Sequence, residues 1–324
     1  MKRFRIPRRQ KMFAVLPTML TLGNAVCGFG AITFAAKVGL QPFGWGRNDT
    51  QCLWIAAMLV FLAMVFDMLD GRAARWAKQT SQFGAELDSL CDAISFGVAP
   101  AFILIKFASE VQEDMPMIAA RLLWAIAVLF VVCAILRLAR FNVETDEEDT
   151  HEFFSGLPSP AAAGTVVSFM IAYPEIQDWA RASGAGPTAW WVQLTHTLGL
   201  YLLPALQFVV PLVALACACL MVSRLRYSHV FNQWFRGRRP HSHILQLVIA
   251  AVTLFLLKEL VVPLIFCLFA FGSPVRAAWA AIRRREPGEA GKGITVPASG
   301  PPDGPPAQPS SQPVDELRRG ERAG

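Results

Sequence analysis

The sequence predicts an all-α, polytopic membrane helix bundle, and three observations predict it. Of 324 residues, 54% are hydrophobic and only 17% charged, against about 25% charged in soluble domains. Mean hydropathy is +0.41. Apolar runs approaching the roughly 20 residues that cross a bilayer recur along the chain, separated by short segments holding Lys and Arg. The net charge of +6 sits in those segments, where it orients helices in a membrane. Three Tyr and no alternation of aromatic and basic residues argue against a nucleic-acid partner.

About eight transmembrane helices are expected, near 14–37, 52–77, 83–107, 117–141, 157–175, 201–223, 244–258 and 260–280. The first follows a basic juxtamembrane segment, 1–13, suited to anionic lipid. Its apolar stretch, Met12 to about Val38, exceeds a signal-peptide core of roughly 7–15 residues and is expected to be retained. The second is the uninterrupted run Cys52–Phe66 continued into Asp67 and beyond. The stretch from Gly186 to Leu203 carries Gln193 and His196, so an outer loop is expected there, with Trp190 and Trp191 at headgroup level. The tight Glu259–Pro263 turn makes the last pair a hairpin.

Basic residues fall on alternate connections: Arg72, Arg75 and Lys78, then Arg137 and Arg140, then Arg224 to Arg239, then Arg283 to Arg285. The opposite loops hold few, which places both termini on the cytoplasmic side. After Glu286 the chain becomes rich in Pro, Gly and Ser, the composition of a disordered tail. The expected organisation is therefore a basic segment 1–13, a transmembrane domain 14–285 and a cytoplasmic tail 286–324. Seven cysteines show no CxxC pair and fall mostly inside apolar runs, so they read as small buried hydrophobes. The five histidines show no ligand spacing with the acids discussed next.

Chemistry concentrates in one stretch: Asp67, Asp70, Gly71, Ala74 and Arg75, then Gly84, Asp88 and Asp92. At about 100° per residue, the first five share one side of the second helix, and the last three share one side of the third. Trp76–Phe83 is short enough to turn the helices antiparallel, acidic faces inward. Carboxylates at the end of a membrane span are costly and rarely idle, and a dense cluster repels itself unless a cation enters it. Four converging carboxylates offer hard oxygens to one or two Mg²⁺ or Mn²⁺. Small Gly71, Ala74 and Gly84 leave room for a ligand or for close helix approach. Helix–helix adhesion explains one such Asp but not four at these intervals. An ion pathway would spread acids through the bilayer, whereas these gather at one level. A scaffold presenting the tail would not need Asp92.

The pattern Asp-x₂-Asp-Gly-x₂-Ala-Arg-x₈-Gly-x₃-Asp-x₃-Asp, complete over 26 residues, resembles the signature of the CDP-alcohol phosphotransferase family. Further stretches resemble its CDP-diacylglycerol–serine O-phosphatidyltransferase branch: Leu16–Asn24 with Cys27-Gly28, Leu87–Pro100, Arg137–Asn142, Gly156–Ala163, and Met221–Ser223 with Tyr227. Thr18 departs from it, standing where Asn is expected after Pro17.

The resemblance implies a six-helix core and transfer of the phosphatidyl group of CDP-diacylglycerol to L-serine, giving phosphatidylserine and CMP. Glycerol 3-phosphate or inositol phosphate are the alternative acceptors. It implies Asp67, Asp70, Asp88 and Asp92 as metal ligands, with Asp92 as general base. Thr21, Gly71, Ala74, Arg75, Ser81 and Gly84 are implied at the CDP-diacylglycerol site. A homodimer in a bacterial cell membrane, its active site cytoplasmic, is also expected. Arg137, Arg140 and Asn142 end the fourth helix at the same level. They are candidates for the serine carboxylate, which a guanidinium grips bidentately; each Arg reads equally as a positive-inside anchor.

Overall fold

The computed structural model describes residues 8–40, 48–77, 82–111, 115–146, 154–181, 190–223, 226–227 and 260–283. Met1–Ala281 forms one compact unit; of the remainder, only Ile282 and Arg283 are described. The expected helix at 244–258 and the tail 286–324 lie outside the described residues.

The helices are α1 (Arg8–Ala36), α2 (Asp49–Ala77), α3 (Gln82–Asp92), a π-helical turn (Ala93–Val98), α4 (Ala99–Val111), α5 (Met117–Asp146), α6 (Ser159–Arg181), α7 (Trp190–Val222) and α8 (Val261–Arg283). Five spans are long and apolar enough to cross a membrane: 17–36, 49–73, 83–111, 117–143 and 192–222. Large apolar side chains such as Phe29, Trp124, Phe208, Leu212 and Leu268 are exposed on the bundle surface. In water such a surface would be an aggregation liability; in a bilayer it meets lipid. The chain is an integral membrane protein.

α6 is not among the five spans. Its Ser, Thr, Gly and Pro dilute its apolarity, yet thirteen of its residues are buried, from Ser159 to Ile176. It packs on α2 and α7 inside the bundle, so protein rather than lipid surrounds much of it. Small residues permit that approach: a Cβ on Gly164 would overlap the Phe266 ring of α8, and one on Gly199 of α7 would lie 2.6 Å from the Ala180 nitrogen.

Three expectations are corrected. The third predicted helix is not one α-helix but α3, a π turn and α4. The Ala99 N–H bonds the carbonyl of Ile94, five residues back, and Pro100 has no N–H to give Phe96. The outer loop expected over Gly186–Leu203 is helical from Trp190 onward, continuous with α7 across Pro204. At 33 residues, α7 is about 50 Å long, more than the roughly 30 Å hydrocarbon core needs. α5 also runs past its expected end to Asp146.

A two-residue antiparallel ladder pairs Phe154 with Tyr227 and Ser155 with Arg226. Leu157 N–H donates to the Leu220 carbonyl at 3.1 Å beside it. Gly156 has φ +88°, and a Cβ there would lie 2.5 Å from the Met221 carbonyl oxygen. Two separate stretches of the sequence, 156–163 and 221–227, therefore meet, tying the start of α6 to the end of α7.

Candidate active site

Because successive spans run antiparallel, the site residues gather at one end of the bundle. That end contains the first half of α1, the end of α2, the start of α3, the end of α5 and the start of α6. Asp67 and Asp70 come from α2 and Asp88 from α3. Each offers one carboxylate oxygen, and the three lie within 4.8 Å of one another. Asp70 is 5% exposed, while Asp67 and Asp88 are half-buried. Among the described residues, Asp70 Oδ2 and Asp88 Oδ1 are buried without a hydrogen-bond partner. Unpartnered buried carboxylate oxygens are expensive, and aimed together they form a hard-oxygen site that a divalent cation such as Mg²⁺ or Mn²⁺ fits. These three residues could hold a metal.

Asp92 is not in that trio. It is 9% exposed, and its Oδ1 accepts a hydrogen bond from Asn24 Nδ2 at 2.8 Å. It lies one turn beyond Asp88, immediately before the π turn. Such turns recur at functional sites because the extra residue re-aims side chains. Inside this one, Ser95 is fully buried and donates to the Asn24 carbonyl at 3.0 Å. Gly28 permits the contact: a Cβ there would overlap the Ser95 hydroxyl and lie 2.8 Å from Ser95 Cα.

Of the residues expected at the donor site, Thr21 is buried on α1 beside Asp70 and donates to the Pro17 carbonyl at 3.1 Å. Gly71 is exposed, and among the described residues nothing stands within 4 Å of where its side chain would begin. It therefore leaves space there. Gly84 is half-buried near the start of α3. Ala74 and Arg75 lie on the last turns of α2, and Ser81 is outside the described residues.

Of the expected acceptor residues, Arg137 comes closest to the carboxylates. Its guanidinium is within electrostatic range of Asp92 and Asp67, and Nη1 donates to Ser159 Oγ at 2.8 Å. Its Nε is buried without a partner. Arg140 is half-buried one turn further along α5. Asn142 is engaged between helices: its Nδ2 donates to Ser89 Oγ of α3 at 3.0 Å.

Sequence reasoning gave no role to Asn24, Ser95 or Ser159. A signal existed for Asn24. It is an amide within an apolar span, three residues after Thr21 and four before Gly28, so all three share a helix face. The cysteines behave largely as expected: all seven are free and five are buried, but Cys219 is exposed.

The model of the family described as CDP-alcohol phosphatidyltransferase matches residues 14–201, more than half of the chain, and the chain belongs to that family. It resembles the CDP-diacylglycerol–serine O-phosphatidyltransferase of Mycobacterium tuberculosis, 35% identical over 168 residues, covering 50% of this chain and 51% of the relative. The Helicobacter pylori protein of the same name is 42% identical over 153 residues, covering 47% and 56%. The archaetidylserine synthase of Methanothermobacter thermautotrophicus is 35% identical over 161 residues, covering 49% and 59%. The matched segment thus spans somewhat more than half the length of each of these relatives.

Proposed function

We propose that this chain transfers the phosphatidyl group of CDP-diacylglycerol to the hydroxyl of L-serine, giving phosphatidylserine and CMP. The observation that carries the reading is the division of labour among four aspartates. Three point oxygens at one another, while the fourth is held apart by an amide. The names of the three relatives differ in the lipid but share serine, which favours that acceptor.

Asp67, Asp70 and Asp88 would hold Mg²⁺ or Mn²⁺, one ion or two. The bound metal would neutralise charge on the donor diphosphate and on the leaving phosphate. Thr21, the open space at Gly71, and Gly84 border the donor site, with Ala74, Arg75 and Ser81 completing it. Asp92 takes the proton of the serine hydroxyl as that oxygen bonds the phosphatidyl phosphorus. The bond from this phosphorus to the bridging oxygen breaks, and CMP leaves with that oxygen. A carboxylate has an ordinary pKa near 4, far below an alcohol's, so proton transfer accompanies P–O bond formation and does not precede it. Arg137 faces the serine carboxylate, with Arg140 and Asn142 behind it. The basic connections favour the cytoplasmic side for this end; a bacterial membrane is the expected setting and a homodimer the expected assembly.

The test is acceptor-dependent CMP release. Purified protein given CDP-diacylglycerol and Mn²⁺ or Mg²⁺ should release CMP when L-serine is added and not without it. Release with glycerol 3-phosphate or inositol phosphate, and none with serine, would reassign the acceptor and leave the family chemistry standing.

A further inference from the structure

We propose that Asn24 reads the α-ammonium group of the acceptor, making it the residue that distinguishes an amino acid from a plain hydroxy acid. The inference rests on serine being the acceptor.

The argument begins with a full burial. Asn24 is 0% exposed, sits on a membrane span and has one amide atom satisfied and one not. Its Nδ2 donates to Asp92 Oδ1 at 2.8 Å. In the ionised state that a base must have before it takes a proton, Asp92 only accepts, so in that state the amide nitrogen faces Asp92 and the amide oxygen faces away. Among the described residues Asn24 Oδ1 is buried with no partner, which costs stability unless something donates to it.

The backbone around Asn24 is also pinned. Ser95 donates to the Asn24 carbonyl at 3.0 Å, and Gly28 lets α1 press against the π turn. An unsatisfied acceptor is thus held rigidly beside the group that receives the acceptor's proton. The opposite defect lies in electrostatic range of Asp92: Arg137 has a buried Nε donor without a partner among the described residues. One orphan acceptor and one orphan donor thus lie near the proposed base. Serine presents the complementary pair on the carbon next to its CH₂OH: an ammonium that only donates and a carboxylate that only accepts. With the hydroxyl at Asp92, the ammonium meets Asn24 Oδ1 and the carboxylate meets Arg137. An acceptor such as glycerol 3-phosphate offers that oxygen only a neutral hydroxyl on the same carbon, a weaker donor than an ammonium, and 3-hydroxypropanoate offers it none, a basis for rejection.

The experiment compares L-serine with 3-hydroxypropanoate, which keeps the hydroxyl and carboxylate and lacks the ammonium. Both are measured as substrates and by equilibrium binding, on wild type and on Asn24→Leu with Mn²⁺ and CDP-diacylglycerol. Wild type should prefer serine. In Asn24→Leu, both compounds lose turnover because Asp92 loses its support. Serine should lose about 10–100-fold more kcat/KM and affinity than 3-hydroxypropanoate, the worth of a hydrogen bond to a charged group. An unchanged preference would make Asn24 only a positioning residue for Asp92 and overturn the proposal. Weakened Mn²⁺ affinity alone would make its oxygen a metal contact, which also overturns it. Should Asn24→Leu fail to fold, the same preference is read on Asn24→Ser, whose shorter side chain cannot span both groups. Should both fail, wild type decides: binding both compounds equally leaves no ammonium to read. Wild type that ignores serine altogether removes the serine assignment itself, a result separable from the others.

Discussion

The two ends of this bundle both carry acidic residues, and they treat them in opposite ways. At the end described above, Asp70 and Asp92 are nearly buried, and oxygens of Asp70 and Asp88 lack partners. At the other end, a cleft of about 580 Å³ is bordered by Asp49, Glu110 and Asp178 together with Gln177 and Arg181. There the polar groups satisfy one another: Thr50 donates to Gln177 Oε1 at 3.0 Å, and the Gly39 N–H donates to Asp49 Oδ2 at 3.2 Å. Acid count does not separate a site from a solvated rim. Burial without a partner does, because the folded chain tolerates that cost only where a ligand removes it.

The contrast breaks first at Asp92. Asp92→Asn should keep Mn²⁺-dependent CDP-diacylglycerol binding and lose turnover by about 10²–10⁴-fold, the usual worth of a general base. Asp67→Asn or Asp88→Asn should weaken metal and donor binding together. Metal titrations of donor binding and of rate separate the two patterns. Equal loss of metal affinity in all three, with Asp92→Asn rescued by excess Mn²⁺, would move Asp92 into the ligand group.

A smaller effect is expected where geometry, not chemistry, supports the site. Gly156→Ala forces a side chain into a positive-φ residue facing the Met221 carbonyl. The strain should cost on the order of 1–3 kcal/mol, seen as a lower melting temperature in detergent. Gly28→Ala should cost a similar amount by overpacking. It should additionally depress kcat, because it pushes Asn24 from Asp92. A Gly28→Ala protein with wild-type turnover would show that the α1–π contact does not matter to the site.

The smallest effect is expected at the opposite end. Asp178→Asn should leave serine-dependent CMP release unchanged and shift stability within about 0.5 kcal/mol, as surface changes do. A loss of activity there would mean that the two ends are coupled.

The acidic motif was legible in the chain because helical periodicity needs no tertiary knowledge. Asp67 and Asp70 on one helix and Asp88 and Asp92 on the next share faces by spacing alone. The membrane character was likewise legible in hydropathy, and the family in eight residues at their intervals. One stretch was misread because hydropathy reports sidedness and not continuity: Trp190–Leu203 looked too polar to join a span. The helix expected near 157–175 is there as α6, buried by its neighbours in spite of modest apolarity.

Only the tertiary structure decided which groups the four aspartates meet. Sequence spacing puts Asp92 in line with Asp88, but the partner it finds, Asn24, lies 68 residues away on α1. That meeting depends on Gly28 admitting the π turn and on Ser95 reaching the Asn24 backbone. Periodicity along one helix fixes which residues look the same way. Which atoms they meet is set by how closely two backbones approach, and that is a property of the packed bundle alone.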